Sequence, residues 1–251
     1  MLIKKILTVF TGYKSDPATL TIVGVGPGDP SLLTISAVDA IKKAKVIVFP
    51  ISDHNKKSFA AEIVKKHTKF KKNIPIIFPM AREGFNPDEI WSNAVEKIVK
   101  FINNGESVVL LCLGDTSLFA SSSNILRIIK NNYPEIITKT IPGISSLSAA
   151  AALNDFDLVK KGETLIIKEC PSSNSELTSI IRESKGNKTV LAIMKVGKRW
   201  NLVREILKKE HIINKSIIAL SVGMPNQIIQ NASQYKRDFM PYFSLILIRF
   251  D

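Results

Sequence analysis

Three glycine-bearing turns stand out in the 251-residue chain as places where residue type and spacing could do chemistry. The first, Gly24-Val-Gly-Pro-Gly-Asp-Pro30, follows the apolar run 20–25. The second, Leu113-Gly-Asp-Thr-Ser-Leu118, follows the apolar run 107–112, and the third, Ile141-Pro-Gly-Ile-Ser-Ser-Leu-Ser148, opens an alanine-rich stretch. A turn at the carboxyl edge of a parallel sheet presents its backbone N–H and C=O groups to a ligand crevice, and glycine lets that backbone approach closely. Asp115 could accept from a ribose hydroxyl or sit against an ammonium, or it could simply cap a following helix. Ser145 is placed to cap a helix whose small side chains would admit a flat ligand. Each turn taken alone is an ordinary loop; their order and spacing make the pattern.

Familiar phosphate-binding patterns do not fit these turns. A dinucleotide fingerprint needs glycine where Asp29 stands, a helix start where Pro27 and Pro30 intervene, and an acid ending the next strand, where the chain has Phe49-Pro50. A P-loop needs Gly-Lys-Ser/Thr after its glycines, which is missing. Cys112 and Cys170 give neither a disulfide framework nor a metal motif. His54, His67 and His211 lie far apart and read as surface residues, so no metal site is expected. No strong acid–base pair is recognisable, and no catalytic residue is assigned.

The chain carries 35 Lys and Arg against 22 Asp and Glu, a formal net charge of +13. Residues 20–139 hold 16 bases against 11 acids and residues 140–251 hold 16 against 10, so the excess is spread and not gathered in a tail. Such a field suits a polyanion, whether nucleic acid or small molecule. The densest stretch, 56–72, has seven lysines and one acid, Glu62, and reads as a solvated helix face. A 45% hydrophobic content supports a folded core. No apolar run is long enough for a transmembrane helix, and the start lacks the apolar core of a signal peptide. A cytoplasmic protein with no membrane partner is expected.

The turns need strands and helices to hold them. Apolar runs bounded by Gly and Pro predict strands over 20–25, 45–49, 74–78 and 107–112. Helical periodicity predicts helices over 31–43, 58–69, 87–104 and 117–130, with Asn86-Pro87 starting the third. The rhythm restarts near 136–142. Helices follow over 145–153, 175–184 and 200–209, and strands over 163–168, 189–194 and 216–222. Residues 227–231 and 242–250 have no helix between them and read as a terminal hairpin. This alternation predicts an α/β protein with substantially parallel sheets. Two lobes are expected, 20–139 and 140–251, with 1–19 as a loosely tethered extension.

Together, Gly24–Pro30 with Leu32-Leu33-Thr34, then Leu113-Gly-Asp115, then Pro142-Gly-Ile-Ser145 resemble the tetrapyrrole methylases, over about residues 20–250. The resemblance implies two αβα lobes with the active site in the cleft between them, S-adenosylmethionine (SAM) as methyl donor, and a homodimer. Carried over residue by residue, it implies cofactor contacts at Pro27, at Leu113, Gly114, Asp115 and Leu118, at Ser145 and Ser146, at Met194, and at Val222 and Gly223. Met194 by itself would read as core, where methionine usually fills gaps. Within the family, Val48-Phe-Pro50, Ile77-Phe-Pro-Met80, Trp91 and residues 142–151 are most similar to the precorrin-2 carbon-20 methyltransferases of cobalamin synthesis. Pro50 stands where uroporphyrinogen-type members carry Asp. Thr116 departs from the usual Gly-Asp-Pro, and Phe119 stands where the carbon-20 group often has Tyr.

The substrate so implied is a polycarboxylate tetrapyrrole, precorrin-2 or its cobalt-containing counterpart, which makes the positive field intelligible. Lys195, Lys198 and Arg199, directly after Met194, are then the candidate carboxylate contacts, Arg199 through its bidentate fork. The same run could equally be a basic helix start on the surface. Catalysis by alignment of methyl and nucleophilic carbon is the implied mechanism. Two alternatives stand beside this reading. One is diphthine synthase, a family member acting on a translation factor, which lacks the Phe78-Pro-Met80 and Trp91 features. The other is a non-catalytic nucleic-acid-binding α/β protein.

Overall fold

The computed structural model describes residues 17–53, 56–78, 87–185 and 187–250, so His54, Pro79, Met80, Asn86 and most of the expected extension 1–19 lie outside the described residues. Two five-stranded sheets are present among them. The first contains β1 (Thr19–Gly24), β2 (Val46–Ile51), β3 (Lys72–Ile77), β4 (Val108–Cys112) and β5 (Ile137–Ile141), in the order β3-β2-β4-β1-β5. All its pairings are parallel. Its helices are α1 (Ile35–Lys43), α2 (Phe59–Ile63), α3 (Lys65–Thr68), α4 (Pro87–Asn103) and α5 (Ser122–Asn132). The central strands β1 and β4 are buried almost end to end, as a strand covered on both faces must be, and this is why they read as unbroken apolar runs.

The second sheet contains β6 (Thr164–Glu169), β7 (Thr189–Met194), β8 (Ser216–Leu220), β9 (Ile228–Asn231) and β10 (Ser244–Arg249), in the order β6-β7-β10-β8-β9. Here α6 (Ser146–Ala152), α7 (Asn174–Ser184) and α8 (Trp200–Lys209) accompany the strands. Only β6 and β7 are parallel; β10 lies antiparallel between β7 and β8. The expected terminal hairpin is therefore corrected. β9 pairs with β8 at the sheet edge, and β10 lies in the centre, where its run Leu245–Ile248 is buried on both faces.

Other differences have local causes. The strand expected to stop at Phe49 continues to Ile51, because Phe49, Pro50 and Ile51 pair only with the edge strand β3, beyond the last rung to β4. The helix expected over 58–69 divides at Val64, whose backbone leaves helical values (φ −96°, ψ 6°) while its side chain is fully buried. The helix expected from Ser117 starts at Ser122, because Phe119 has φ 50°, in the left-handed region. β5 had no strand expectation: its sequence, Ile-Thr-Lys-Thr-Ile, is half polar because it forms an exposed edge.

The chain divides into two compact units. One contains β1, Ile35–Cys112 and Phe119–Pro142; the other contains Val25–Thr34, Leu113–Leu118 and Gly143–Asp251. A single boundary near residue 140 does not describe this membership, because two loops that precede it group with the second unit. The first unit is filled by Leu20, Ile22, Val48, Ile98, Leu110 and Ile125, with the Phe78 and Trp91 rings edge-to-face at 4.7 Å against it. The second has two apolar layers. Ile246 and Ile248 face α7 and α8, whereas Leu245 and Leu247 face α6. Among the described residues no helix is long and apolar enough to cross a membrane. Because Leu247 is fully buried in the central strand, Leu247→Ala should destabilise the protein by about 2–5 kcal/mol. A lower urea midpoint at unchanged slope is the measurement that checks it.

Candidate functional site

The greater part of each glycine-bearing turn, residues 25–30, 113–118 and 143–148, lies within the second unit. Gly26 and Gly114 form an isolated antiparallel bridge: the Gly114 N–H donates to the Gly26 carbonyl at 2.8 Å and the Gly26 N–H to the Gly114 carbonyl at 3.2 Å. Both have left-handed backbones, φ +78° and +76°, which only glycine adopts without strain. Among the described residues other than its two chain neighbours, no atom lies within 4 Å of where a Cβ on Gly114 would stand, so the bridge presents bare backbone to open space. Pro27, next to it, is buried.

Asp115 ties the second turn to the third. Its Oδ1 accepts from the Ser117 N–H at 2.8 Å and from the Ser117 hydroxyl, and its Oδ2 accepts from the Gly143 N–H at 3.0 Å. Partial burial pushes its carboxyl up, but these bonds and one from Thr116 together hold it below the usual carboxylate range. The carboxylate therefore closes a local turn and does not cap a helix, since α5 begins only at Ser122. Ser145 is the cap of α6, its Oγ accepting from the Ser148 N–H at 3.0 Å, and Ser146 is the first residue of that helix.

The remaining expected cofactor residues converge on the same unit. Met194 and Ile144 pack with Val222, Leu147, Ala149, Ala150 and Ala151 in one apolar cluster, joined by Leu32 from just beyond the first turn. Leu113 and Leu118 flank the Asp115 turn and are half-buried. Gly223, φ +75°, lies back to back with Gly28: a Cβ on Gly28 would stand 2.7 Å from the Gly223 carbonyl carbon, and one on Gly223 would stand 2.7 Å from the Asp29 nitrogen. The first turn thus seats against the loop after β8 closely enough that neither Gly28 nor Gly223 has room for a side chain.

The basic run after Met194 divides its duties. Lys195 has a left-handed backbone, φ 58°, and its Nζ pairs with Glu169 at 3.3 Å. Arg199 donates from Nη1 to the Ser172 carbonyl at 2.5 Å and from Nη2 to Asn174 Oδ1 at 3.1 Å, so its fork holds the turn before α7. Lys198 is exposed. Two positioning residues had no assignment from the sequence. Ser117 closes the Asp115 turn, which Asp followed two residues later by Ser could have signalled. Gln227 accepts from the Gly223 N–H at 2.7 Å, a contact with no motif behind it. Among the described residues, no group of three or more His, Cys, Asp or Glu could hold a metal ion.

A sequence profile of the Tetrapyrrole (Corrin/Porphyrin) Methylases matches residues 19–234. A Methanocaldococcus jannaschii protein named "Probable cobalt-precorrin-2 C(20)-methyltransferase" is 30% identical over 90% of this chain and 94% of its own length. A Sinorhizobium protein named precorrin-2 C(20)-methyltransferase is 24% identical over 90% and 93%. The crystal structure of the cobalt precorrin-4 methyltransferase CbiF superposes with a TM-score of 0.69 at 17% identity, over 92% of this chain and 94% of that one, which shows a shared fold.

Two measurements probe the joined turns. Removing the Asp115 acceptors leaves the Gly143 and Ser117 N–H groups without them, so Asp115→Ala should lower the opening free energy of those amides by about 1–3 kcal/mol in hydrogen exchange. Asp115→Asn, which keeps an acceptor oxygen, should lose less. Because the folded carboxyl titrates below the usual range, its contribution is complete above that range and is lost as pH falls through the folded value. Protection of Gly143 should therefore fall in acid in the native protein and stay flat in Asp115→Asn. Separately, Gly28→Ala should displace the loop after β8 and perturb the amide resonances of Ser221 to Met224, since its Cβ has no room.

Proposed function

The chain belongs to the tetrapyrrole (corrin/porphyrin) methylase family, and we propose that it transfers the methyl group of SAM to carbon 20 of precorrin-2, giving precorrin-3A in cobalamin synthesis. The observation that carries this reading is the meeting of the three turns with Met194 and Val222 in one unit, around a bridge whose Gly114 faces open space. That arrangement fits a nucleoside sulfonium: bare backbone for its polar groups and a methionine–valine–leucine surface for its apolar parts. The relatives named for C(20) methylation support the choice of carbon. SAM, when bound, supplies a methyl group already made electrophilic by the attached sulfonium.

This chain's part is to bind and orient. Pro27, Leu113, Gly114, Asp115 and Leu118 would hold the cofactor from the first two turns, Ser145 and Ser146 from the third, and Met194, Val222 and Gly223 from the ends of β7 and β8. Asp115, engaged with Ser117 and Gly143, contributes chiefly by fixing the bridge and the third turn in one geometry. Alignment in a rigid cradle is the main source of rate for a reaction that needs no strong base to begin. Lys198 supplies positive charge toward the substrate carboxylates, while Lys195 would have to leave Glu169 to reach them and Arg199 supports the turn before α7. The enzyme is read as a cytoplasmic homodimer, which light scattering of the purified protein would check.

Titration with S-adenosylhomocysteine should give saturable one-site heat. Anaerobic incubation with methyl-labelled SAM and either precorrin-2 or its cobalt form should then place the label at carbon 20 by NMR. Label at another ring carbon would overturn the named reaction and leave the family intact. Lys198→Gln should raise KM for the tetrapyrrole by about two- to fivefold, the range for one exposed charge pair, with S-adenosylhomocysteine affinity unchanged. Added salt should weaken substrate capture in the native enzyme through screening.

A further inference from the structure

The amino edge of the first sheet gathers positive charge at the end opposite to the glycine turns. Its strands are parallel and begin level: Val46 of β2 is opposite Lys72 of β3 and Val108 of β4, and Leu20 of β1 is opposite Val108. The segments that enter β2 and β3 therefore lie side by side. Lys71 ties them together, its Nζ donating to the Lys42 carbonyl at 2.8 Å and to the Ala44 carbonyl at 2.6 Å. Because α1 also packs against α3, the end of α1 and the turn after α3 share one surface.

That surface carries Lys42, Lys43, Lys45, Lys69 and Lys71, all but Lys71 exposed. None of the five has an acid within ion-pair distance among the described residues, whereas Lys72 is drawn to Glu106 at 4.0 Å. Of the acids near them in the chain, Glu62 pairs with Lys65 at 3.4 Å and Asp39 lies a helical turn before Lys43. Like charges gathered on one surface repel, so the cluster is relieved by any counter-charge laid over it. In its midst Phe70 is 94% exposed, with Lys69 Nζ 5.5 Å from the ring centroid. A lone exposed ring is ordinary. A ring set between Lys69 and Lys71 on a turn is a different object, because an interface at headgroup depth accepts both aromatic rings and ammonium groups.

We propose that this edge is a membrane-surface element: the lysines lie over anionic lipid headgroups and Phe70 enters the interface between them. Residue type favours lipid over nucleic acid. All five cations are lysines, whose flexible point charges suit a fluid layer of phosphates, whereas a nucleic-acid backbone is more often met by arginine forks. A single ring on a turn also fits a soft interface, whereas successive stacked bases need a row of rings. The contact is peripheral and involves no span, so it would put a surface partner where the sequence led us to expect no membrane partner. It leaves free the opposite sheet edge, where β1 and β4 run into the glycine turns.

The test is co-sedimentation of the full chain with lipid vesicles at low salt. Vesicles of phosphatidylglycerol and phosphatidylcholine in equal parts should bind it, and vesicles of phosphatidylcholine alone should not. Added salt should release it, because screening removes the attraction. Lys43→Gln combined with Lys69→Gln should weaken binding by about tenfold or more, from about fivefold for each lysine near an anionic surface. Lys209→Gln combined with Lys215→Gln removes the same charge from the second unit and should weaken binding by less than about twofold. Phe70→Ser should weaken it by about threefold or more through the lost apolar contact. Phe70→Trp should keep binding and add a blue-shifted emission when the anionic vesicles are present. Every substituted position is exposed, so folding is not at stake. Equal losses in the two lysine pairs, equal binding to neutral vesicles, or binding indifferent to Phe70→Ser overturns the proposal. A native chain that sediments with no vesicle overturns it too, including one that binds a single-stranded RNA oligonucleotide instead.

Discussion

The double hydrogen bond between Gly26 and Gly114 is the constraint from which the candidate site follows. Two strands of the first sheet, β1 and β4, are parallel neighbours, so their ends deliver chain to one edge. Beyond that edge the two segments turn with left-handed φ and pair antiparallel, which an L side chain at either position would strain. Asp115 can reach Gly143 because the residue before it is held in this bridge. The α6 helix is in turn positioned from Ser145 onward by the turn that Gly143 begins. Removing the bridge would therefore unfix all three turns together.

A second dependence runs through β10. A chain that ended in a hairpin would leave the ends of β7 and β8 side by side, with Met194 and Val222 flanked by no further element. Insertion of β10 separates them by one strand, buries Leu245 and Leu247 against α6, and places Phe243 at the edge they share. Gly28 and Gly223 complete the arrangement from the other direction, because two backbones can touch at that distance only when neither carries a side chain.

What the sequence discloses and what it hides divide along physical lines. Strands buried on both faces, β1, β4, β7 and β8, are legible as apolar runs because burial selects composition directly. β5 is not legible, since an exposed edge relaxes that selection. Strand order in the second sheet is equally silent: β10 pairs with β7 and β8 through its backbone, and nothing in Leu-Ile-Leu-Ile distinguishes a central partner from a hairpin partner. In the site, glycines and Asp115 are legible because special φ values and a short turn demand particular residues. Gln227 is not, because any side chain with an acceptor at the right reach could satisfy the Gly223 N–H. Arg199 illustrates the opposite case: its type suggested a ligand fork, and its neighbours Ser172 and Asn174 show the same fork serving the protein itself.

That use of Arg199 bears on the positive charge as a whole. In the second unit four arginines join segments distant in sequence: Arg182 to Glu210, Arg199 to the turn at Ser172, Arg204 to Asp238, and Arg249 to Glu163 and the Asp157 carbonyl. A planar fork with several donors suits such bridging, because each bond formed restricts a side chain already fixed by the last. Lysines do this less often; Lys71, which caps the Lys42 and Ala44 carbonyls at 2.8 and 2.6 Å, and Lys185, bound to Glu210, are examples. Wherever an acid is the partner, the pair cancels and adds little to the field at a distance. A base bonded to carbonyls keeps its charge but stays in place. The long-range potential is accordingly carried in large part by solvated lysines such as Lys198, whose mobile ammonium groups meet a polyanion without a fixed geometry. Under the proposed function attraction and orientation would be separate tasks: exposed lysines would draw the substrate, and the joined turns would decide how it lies.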